Sequence, residues 1–263
     1  MPTPDPEVKQ HDITRLQHHF ELARRDFFKV LGGGIVVCVA SAHAVSQESG
    51  GRERSRPEMP ATLDSWLHIG EDGQITVFTG KVEVGQNSRT ALTQQVAEEL
   101  RVPITSIRML MGDTDLTPFD MGTFGSRTTP QMGTQLRKAG ASARAVLTQM
   151  AAAKWQVPEN SLTASDGKIH DTKSGRAFSY AELTNGQKLT KVILDDPPVT
   201  PPADWKIAGT SVPKRDARDF VTGAHRYSAD QMRPGMLYGK VVRPSAFHAT
   251  LASCDTSQAE KIP

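Results

Sequence analysis

The sequence predicts an α+β protein built on a strand–helix–strand–helix unit, with a shorter strand-bearing segment after it. Three observations carry this. Leu63–Ile69 and Ile75–Thr79 are short apolar stretches flanking the turn Glu71-Asp72-Gly73, a hairpin signature. Leu92, Val96 and Leu100 recur at i, i+4 and i+8, the period of a helix with one narrow buried face. Pro103 ends that helix, Ile104–Met111 reads as the next strand, and Thr129-Pro130 opens a longer helix, where proline is tolerated in the first turn.

Taken in order, residues 1–23 are polar. Arg24-Arg25-Asp26-Phe27-Phe28-Lys29 then precedes the moderately apolar Val30–Ala40, the pattern of a twin-arginine export signal. Ala42-His43-Ala44, or Ala40-Ser41-Ala42, supplies a small-x-small cleavage motif. The apolar run has roughly half the length that spans a bilayer, and Gly32-Gly33-Gly34 interrupts it. Residues 1–44 are therefore expected to be a cleaved leader, and the protein periplasmic. His18-His19 lacks a third ligand nearby. Residues 45–61 are charged and turn-rich, a tether without a core of its own.

The unit that follows, residues 62–195, holds two glycine-marked loops. Val84-Gly85-Gln86-Asn87-Ser88 opens the first helix, with Ser88 as candidate N-cap. The run from Gly122 to Thr129, GTFGSRTT, opens the second, whose Leu136, Gly140, Ala143, Leu147 and Met150 form its buried side. Amides at a helix start lack intrahelical partners, and glycine permits close approach of a ligand. Two such starts can cradle a phosphate-bearing cofactor, or can simply be turns and caps. Asp113 and Asp115, beside Gly and Thr at a strand end, fit turn hydrogen bonds rather than an acid pair or metal site.

Beyond the long helix, Leu162 onward and Lys168–Asp171 read as a hairpin about Ser165-Asp166-Gly167, and Ser179 with Glu182 as a capping box. The stretch DPPVTPP, Asp196 to Pro202, is a stiff connector and marks residues 196–215 as a linker. In the last segment, 216–263, Met236–Val242 and Ala249–Cys254 read as strands, with His248 at the bend and Cys254 as a buried thiol.

Composition narrows the function. The 263 residues are 37% hydrophobic and 23% charged, with 17 prolines and a net charge of only +2; no basic patch points to nucleic acid. Mean hydropathy is −0.41. Cys38 and Cys254 are the two cysteines, so the chain has neither a disulfide scaffold nor a Cys-x-x-Cys pattern. Any iron–sulfur cluster must sit on another chain.

Read together, GKVEVGQ, then T-ALTQ-VAEEL-VP, MGDTDLTP-DMGTFGSRTT and the following L-KAGASARAVL helix resemble the molybdopterin-binding subunits of the xanthine oxidase and aldehyde oxidase family. The likeness is to the branch that holds isoquinoline 1-oxidoreductase beta subunits and nicotinate dehydrogenase large subunits. A second run, MLYGKVVRPSAFHATLASCD, resembles the opening strands of that family's hammerhead domain. One departure stands out: the family usually has Gly-Gln-Gly where this chain has Gly85-Gln86-Asn87, and Asn tolerates positive φ.

The resemblance implies a molybdopterin-binding αβ domain followed by the start of an aldehyde oxidase-type hammerhead. It implies that Gly85 and Gln86 on one loop, and Thr123, Phe124, Gly125, Ser126, Arg127 and Thr128 on the other, hold a molybdopterin cytosine dinucleotide carrying molybdenum. The implied activity is hydroxylation of an aldehyde or N-heterocyclic small molecule, with water as oxygen source. Electrons would leave through 2Fe-2S clusters on a small iron–sulfur partner subunit to a cytochrome c, with membrane association only through partners. The family's base, a late glutamate, is expected beyond Pro263, so no catalytic residue is assigned within the chain. The reading left open beside this one is a non-catalytic exported fragment or module that uses the same loops for another phosphate ligand.

Overall fold

In a computed structural model, residues 31–41, 62–193 and 197–261 are described. The chain divides into two compact units, Met1–Arg215 and Asp216–Pro263.

The first unit is a five-stranded sheet with two helices on one face. Its strands are β1 (Gly34–Ser41), β2 (Thr62–Gly70), β3 (Ile75–Thr79), β4 (Ile107–Met111) and β8 (Lys188–Ile193), in the order β4-β3-β2-β1-β8. The expected hairpin is present, β2 running antiparallel to β3 with Trp66 opposite Phe78. β3 and β4 are parallel, as the crossover through helix α1 (Ser88–Leu100) requires.

Alternation sorts the side chains between the two faces. Ile35, Val37, Leu67, Ile69, Ile75, Val77, Ile107 and Met109 pack against Leu92, Val96 and Leu100 of α1 and against Leu136, Ala143 and Leu147 of α2 (Gly133–Trp155). Val36, Cys38, Trp66 and Phe78 form a smaller cluster on the other face. The buried face expected for each helix is the one observed, with Met150 partly buried. Strand Ile104–Met111 is shorter than expected: Ile104–Ser106 is a 3₁₀ turn, and pairing starts at Ile107.

The two helices touch at Gly140, where an added Cβ would lie 2.9 Å from the Cβ of Glu99. A three-stranded sheet, β5 (Leu162–Ser165), β6 (Lys168–Asp171) and β7 (Ala177–Ser179), closes over the C-terminal end of α1. Tyr180 Oη donates to the Leu100 carbonyl at 2.6 Å. Tyr180 begins the short helix α3 (Tyr180–Thr184), which carries the expected Ser179/Glu182 capping box.

β1 falls inside the segment expected as leader. It lies between two partners, antiparallel to β2 and parallel to β8. Ile35, Val36 and Val37 are all fully buried, and side chains of this size stabilise by about 1.5–3 kcal/mol each when buried. A strand covered on both faces reads as a continuous apolar run, and so does the core of a leader. The twin arginines and the Ala42-His43-Ala44 motif lie outside the described residues.

The proline-bearing stretch expected as a linker is strapped to α1 and α2 from Thr200 onward. Glu98 and Glu99, adjacent on α1 and both fully buried, anchor it. Glu98 Oε2 accepts from the amides of Lys206, Ile207 and Ala208 at 2.8, 2.6 and 3.1 Å. Burial by itself would raise its pKa, but those three amides and Arg101 outweigh burial and hold it below the ordinary range. Glu99 accepts from the amide and hydroxyl of Thr200 and pairs with Arg137 at 2.9 Å. Trp205 lies under the Arg137 guanidinium, 5.1 Å from ring centroid to Cζ.

In the second unit the sequence reading needs correction. Neither Met236–Val242 nor Ala249–Cys254 is a strand, and Cys254 is exposed rather than buried. A strand needs a partner for its backbone groups, and no strand is present among the described residues of this unit. His248 sits exposed at φ 55. Local order comes from helix α4 (Ala217–Thr222) and from three rings in succession: Phe220 stacks on His225 with centroids 4.2 Å apart, and His225 meets Tyr227 edge to face at 4.6 Å.

Candidate cofactor site

The two glycine loops leave neighbouring parallel strands, β3 and β4, at the same end, so the sheet itself sets them side by side. Gly80 allows the approach, since a Cβ there would lie 2.5 Å from the Pro118 carbonyl oxygen and from the Asp120 Cβ. Lys81, 8% exposed, then crosses between the loops. Its Nζ donates to Asp120 Oδ1 at 2.8 Å and to the Gly122 carbonyl at 2.7 Å. One residue on, the Val82 amide donates to Thr123 Oγ1 at 2.9 Å. The same Asp120 oxygen accepts from the Gly122 amide, so one carboxylate fixes both loops.

The first loop differs from the expected cradle. Its amides point to a carboxylate of its own chain. Glu83 Oε1 accepts from Gly85 N at 2.8 Å and Asn87 N at 2.9 Å; Oε2 accepts from Arg89 N at 2.9 Å and from the Ser88 hydroxyl at 3.3 Å. Lys214 Nζ is 3.8 Å away. Burial would raise the Glu83 pKa, but donation from Arg89, Asn87 and Gly85, with Lys214 nearby, holds it below the ordinary value. The start of α1 is therefore already supplied with an anion.

Asn87, at φ 66, is the N-cap, one residue before the expected Ser88. Gly85 at φ +105 leaves open space where a Cβ would stand. Gln86 is exposed and folds its amide into the loop: Oε1 accepts from Val84 N at 2.6 Å, and Nε2 donates to Val82 O at 3.0 Å. An amide nitrogen carries two hydrogens, so one N–H of Nε2 remains for an outside acceptor.

The second loop has the opposite character. Thr123 is committed to Val82, Thr128 is 8% exposed, and Phe124, Gly125, Ser126 and Arg127 face solvent. Gly125 and Ser126 are both left-handed, at φ 64 and 55. Arg127 lies 5.9 Å over the Phe124 ring. The chain enters α2 through a wide turn, Thr128–Met132, and neither it nor the first turn of α2 contains an acid. A helix start with hydroxyls, an arginine and no acid suits an anionic group. The donor set thus fits a phosphate-bearing cofactor at the Thr123–Thr128 loop, while the first loop offers Gln86 and the open space at Gly85.

Lys81, Glu83 and Asp120 were not singled out from the sequence. An acid two residues before a glycine that precedes a helix is the one signal that points to Glu83; nothing local distinguishes Lys81 or Asp120 from solvated charges. Asp113 makes turn hydrogen bonds, accepting from the Asp115 and Leu116 amides at 2.9 Å. A cavity of about 480 Å³ among His68, Glu71, Asp72, Thr76 and Arg108 is lined by none of the eight loop residues.

Comparison with known proteins defines the class. The chain belongs to the molybdopterin-binding subunits of the xanthine oxidase family: the model of the molybdopterin cofactor-binding domain matches residues 9–229. The B subunit of the Pseudomonas putida nicotinate dehydrogenase is 36% identical over 182 residues, 69% of this chain and 15% of that protein. The beta subunit of the Brevundimonas diminuta isoquinoline 1-oxidoreductase is 28% identical over 282 residues, 92% of this chain and 36% of that one. The chain therefore spans between about a seventh and just over a third of these relatives. Among solved structures, a Cu,Mo-CO dehydrogenase chain is 28% identical with a TM-score of 0.42, covering 45% of this chain and 15% of that one.

Proposed function

We propose that this chain is the N-terminal, cofactor-holding part of a molybdenum hydroxylase large subunit that oxidises aldehydes or N-heterocycles with water as oxygen source. The observation that carries the proposal is the acid-free loop Thr123–Thr128, locked to the Gln86 loop by Lys81, Asp120 and Thr123. The bound group, a molybdopterin cytosine dinucleotide, supplies the redox chemistry. The chain's residues bind and orient it. Arg127 and the Ser126 hydroxyl would hold the phosphates, the free N–H of Gln86 would donate to the pterin, and Phe124 would offer an apolar contact. Lys81 and Asp120 keep the two loops in register, so each loop limits the other's freedom when the ligand is absent.

Residues 216–263 are read as the beginning of an aldehyde oxidase-type hammerhead on the sequence likeness of the run Met236–Asp255 alone, since that run forms no strand in this structure. Electron exit through 2Fe-2S clusters on a small partner subunit to a cytochrome c, and periplasmic location by the twin-arginine route, belong to the same proposal. The lack of a Cys-x-x-Cys pattern fits clusters on another chain, the motif Arg24–Lys29 supports the export route, and the cytochrome acceptor rests on the family resemblance.

The test is metal and small-molecule analysis of the full chain purified from a molybdenum-replete bacterial host. Molybdenum together with a released cytidine nucleotide is expected, and Arg127→Ala should lower occupancy roughly tenfold, the scale of one lost charge-assisted hydrogen bond. Folded protein without molybdenum, or unchanged occupancy in Arg127→Ala, would reject the cofactor-holding role.

A further inference from the structure

The segment that reads as the apolar core of an export leader is the fourth of five strands in the sheet, and it cannot be both discarded and used. We propose that residues 34–41 are retained in the working protein. The chain is not cut after Ala42 or Ala44, and the twin-arginine stretch stays attached to the domain it precedes. The inference does not depend on the cofactor reading.

Four observations carry it. First, β1 lies between β2 and β8, and its removal would leave β8 without a neighbour in the sheet. Second, its side chains belong to both cores: Ile35 and Val37 to the large one under the helices, Val36 and Cys38 to the small one opposite. Third, the glycines that weaken the run as a leader are needed by the fold. Gly34 sits at φ +125, and a Cβ there would come within 2.2 Å of the Ile69 carbonyl oxygen. Its amide donates to the Gln187 carbonyl at 2.7 Å, joining β1 to the start of β8. A leader destined for removal has no such requirement. Fourth, the cofactor-domain match begins at residue 9, and so includes the segment as part of the domain.

The two readings make opposite predictions for one substitution. Gly34→Ala makes the run more apolar and more helical, which a leader tolerates, but it places a Cβ against the Ile69 carbonyl. The full chain carrying Gly34→Ala, purified from the cytoplasm, is expected to melt at least about 5 °C below the parent, the scale expected for one to two kcal/mol in a domain of this size. Val37→Asp is expected to abolish cooperative melting. Intact-mass measurement of the folded protein, from whichever fraction holds it, is expected to retain residues 34–41. An unchanged Tm in both variants, or folded protein starting at His43 or Val45, would overturn the proposal. If the variants prove too unstable to purify while the parent folds, that loss is itself the expected result, because a detachable leader does not contribute to the stability of the domain.

Discussion

Three amides and a hydroxyl converge on the Glu83 carboxylate, and a side chain that must only accept cannot be replaced by an amide at no cost. Glu83→Gln turns one oxygen into a donor that faces other donors, so at least one of these N–H or O–H groups loses its charged acceptor. A loss of about 1–3 kcal/mol is expected, read as a lower urea midpoint with unchanged m-value. Glu83→Asp, one methylene shorter, should reach fewer of the four donors and fall between. Lys81 is the matching case across the loops. Both it and Asp120 are about one-tenth exposed, and Lys81→Met leaves Asp120 charged with its cation gone. Breaking a buried pair from one side costs about 3–5 kcal/mol; partial access to water places this site at the lower end. Hydrogen exchange localises the effect: amides of 119–128 should exchange faster in Lys81→Met, while those of α2 beyond Leu136 stay protected. These residues were hidden in the sequence because a buried lysine and a solvated one look alike until the strand order is known.

At the level of elements, the strap from Thr200 to Arg215 depends on two adjacent acids of α1. The folded-state pKa of Glu98 is held below its ordinary 4.5, so its contribution is fully present above that value and is lost as pH falls through the lower, folded-state one. Acid should therefore release the strap. In a pH series from 7 to 3, Trp205 fluorescence is expected to change below about pH 4.5, and Glu98→Gln to show much of that change already at pH 7. The helix pair is tight at Gly140, and Gly140→Ala forces Glu99 to move; a loss of about 1–3 kcal/mol is expected from overpacking, despite the better helix propensity of alanine. Most of these elements were readable in advance. Leu92, Val96 and Leu100 announced α1, Leu136 and Leu147 announced α2, and the turn glycines announced both hairpins. What escaped was the partnering of polar residues. Glu98 and Glu99 look like a solvated helix face, and their burial is explained by amides more than 100 residues away together with Arg101, Arg137 and Arg144. β1 escaped for another reason: an apolar run flanked by arginines and small residues satisfies a leader and an inner strand equally well, and only pairing separates the two.

The whole molecule is uneven in how firmly it is held. Residues 34–38 and 62–193 share a large buried core between the sheet and the two helices, with a smaller cluster on the sheet's other face, and the strap packs onto it through Ile207. From Asp216 onward nearly every residue is exposed, among them Leu237, Val242 and Phe247 at 89, 90 and 97%. Low burial means low local stability, so opening in the second unit requires little free energy. Trypsin at low ratio should accordingly cut first at Arg218, Arg226 or Lys240, all exposed and none followed by proline. Arg101, Arg137 and Arg144 should resist because their guanidinium groups are held by Glu98 and Glu99. The product should end near Arg215, whose amide and guanidinium are tied to Thr90 and to the Ile104 carbonyl, and it should melt at the temperature of the uncut chain, since few of the lost residues are part of a core. An early cut within 88–155, or a fall in Tm once the C-terminal segment is gone, would show that the second unit contributes to the stability of the first. A product that keeps its Tm but loses bound molybdenum would instead place that contribution at the cofactor, where Lys214 at the end of the strap already approaches Glu83.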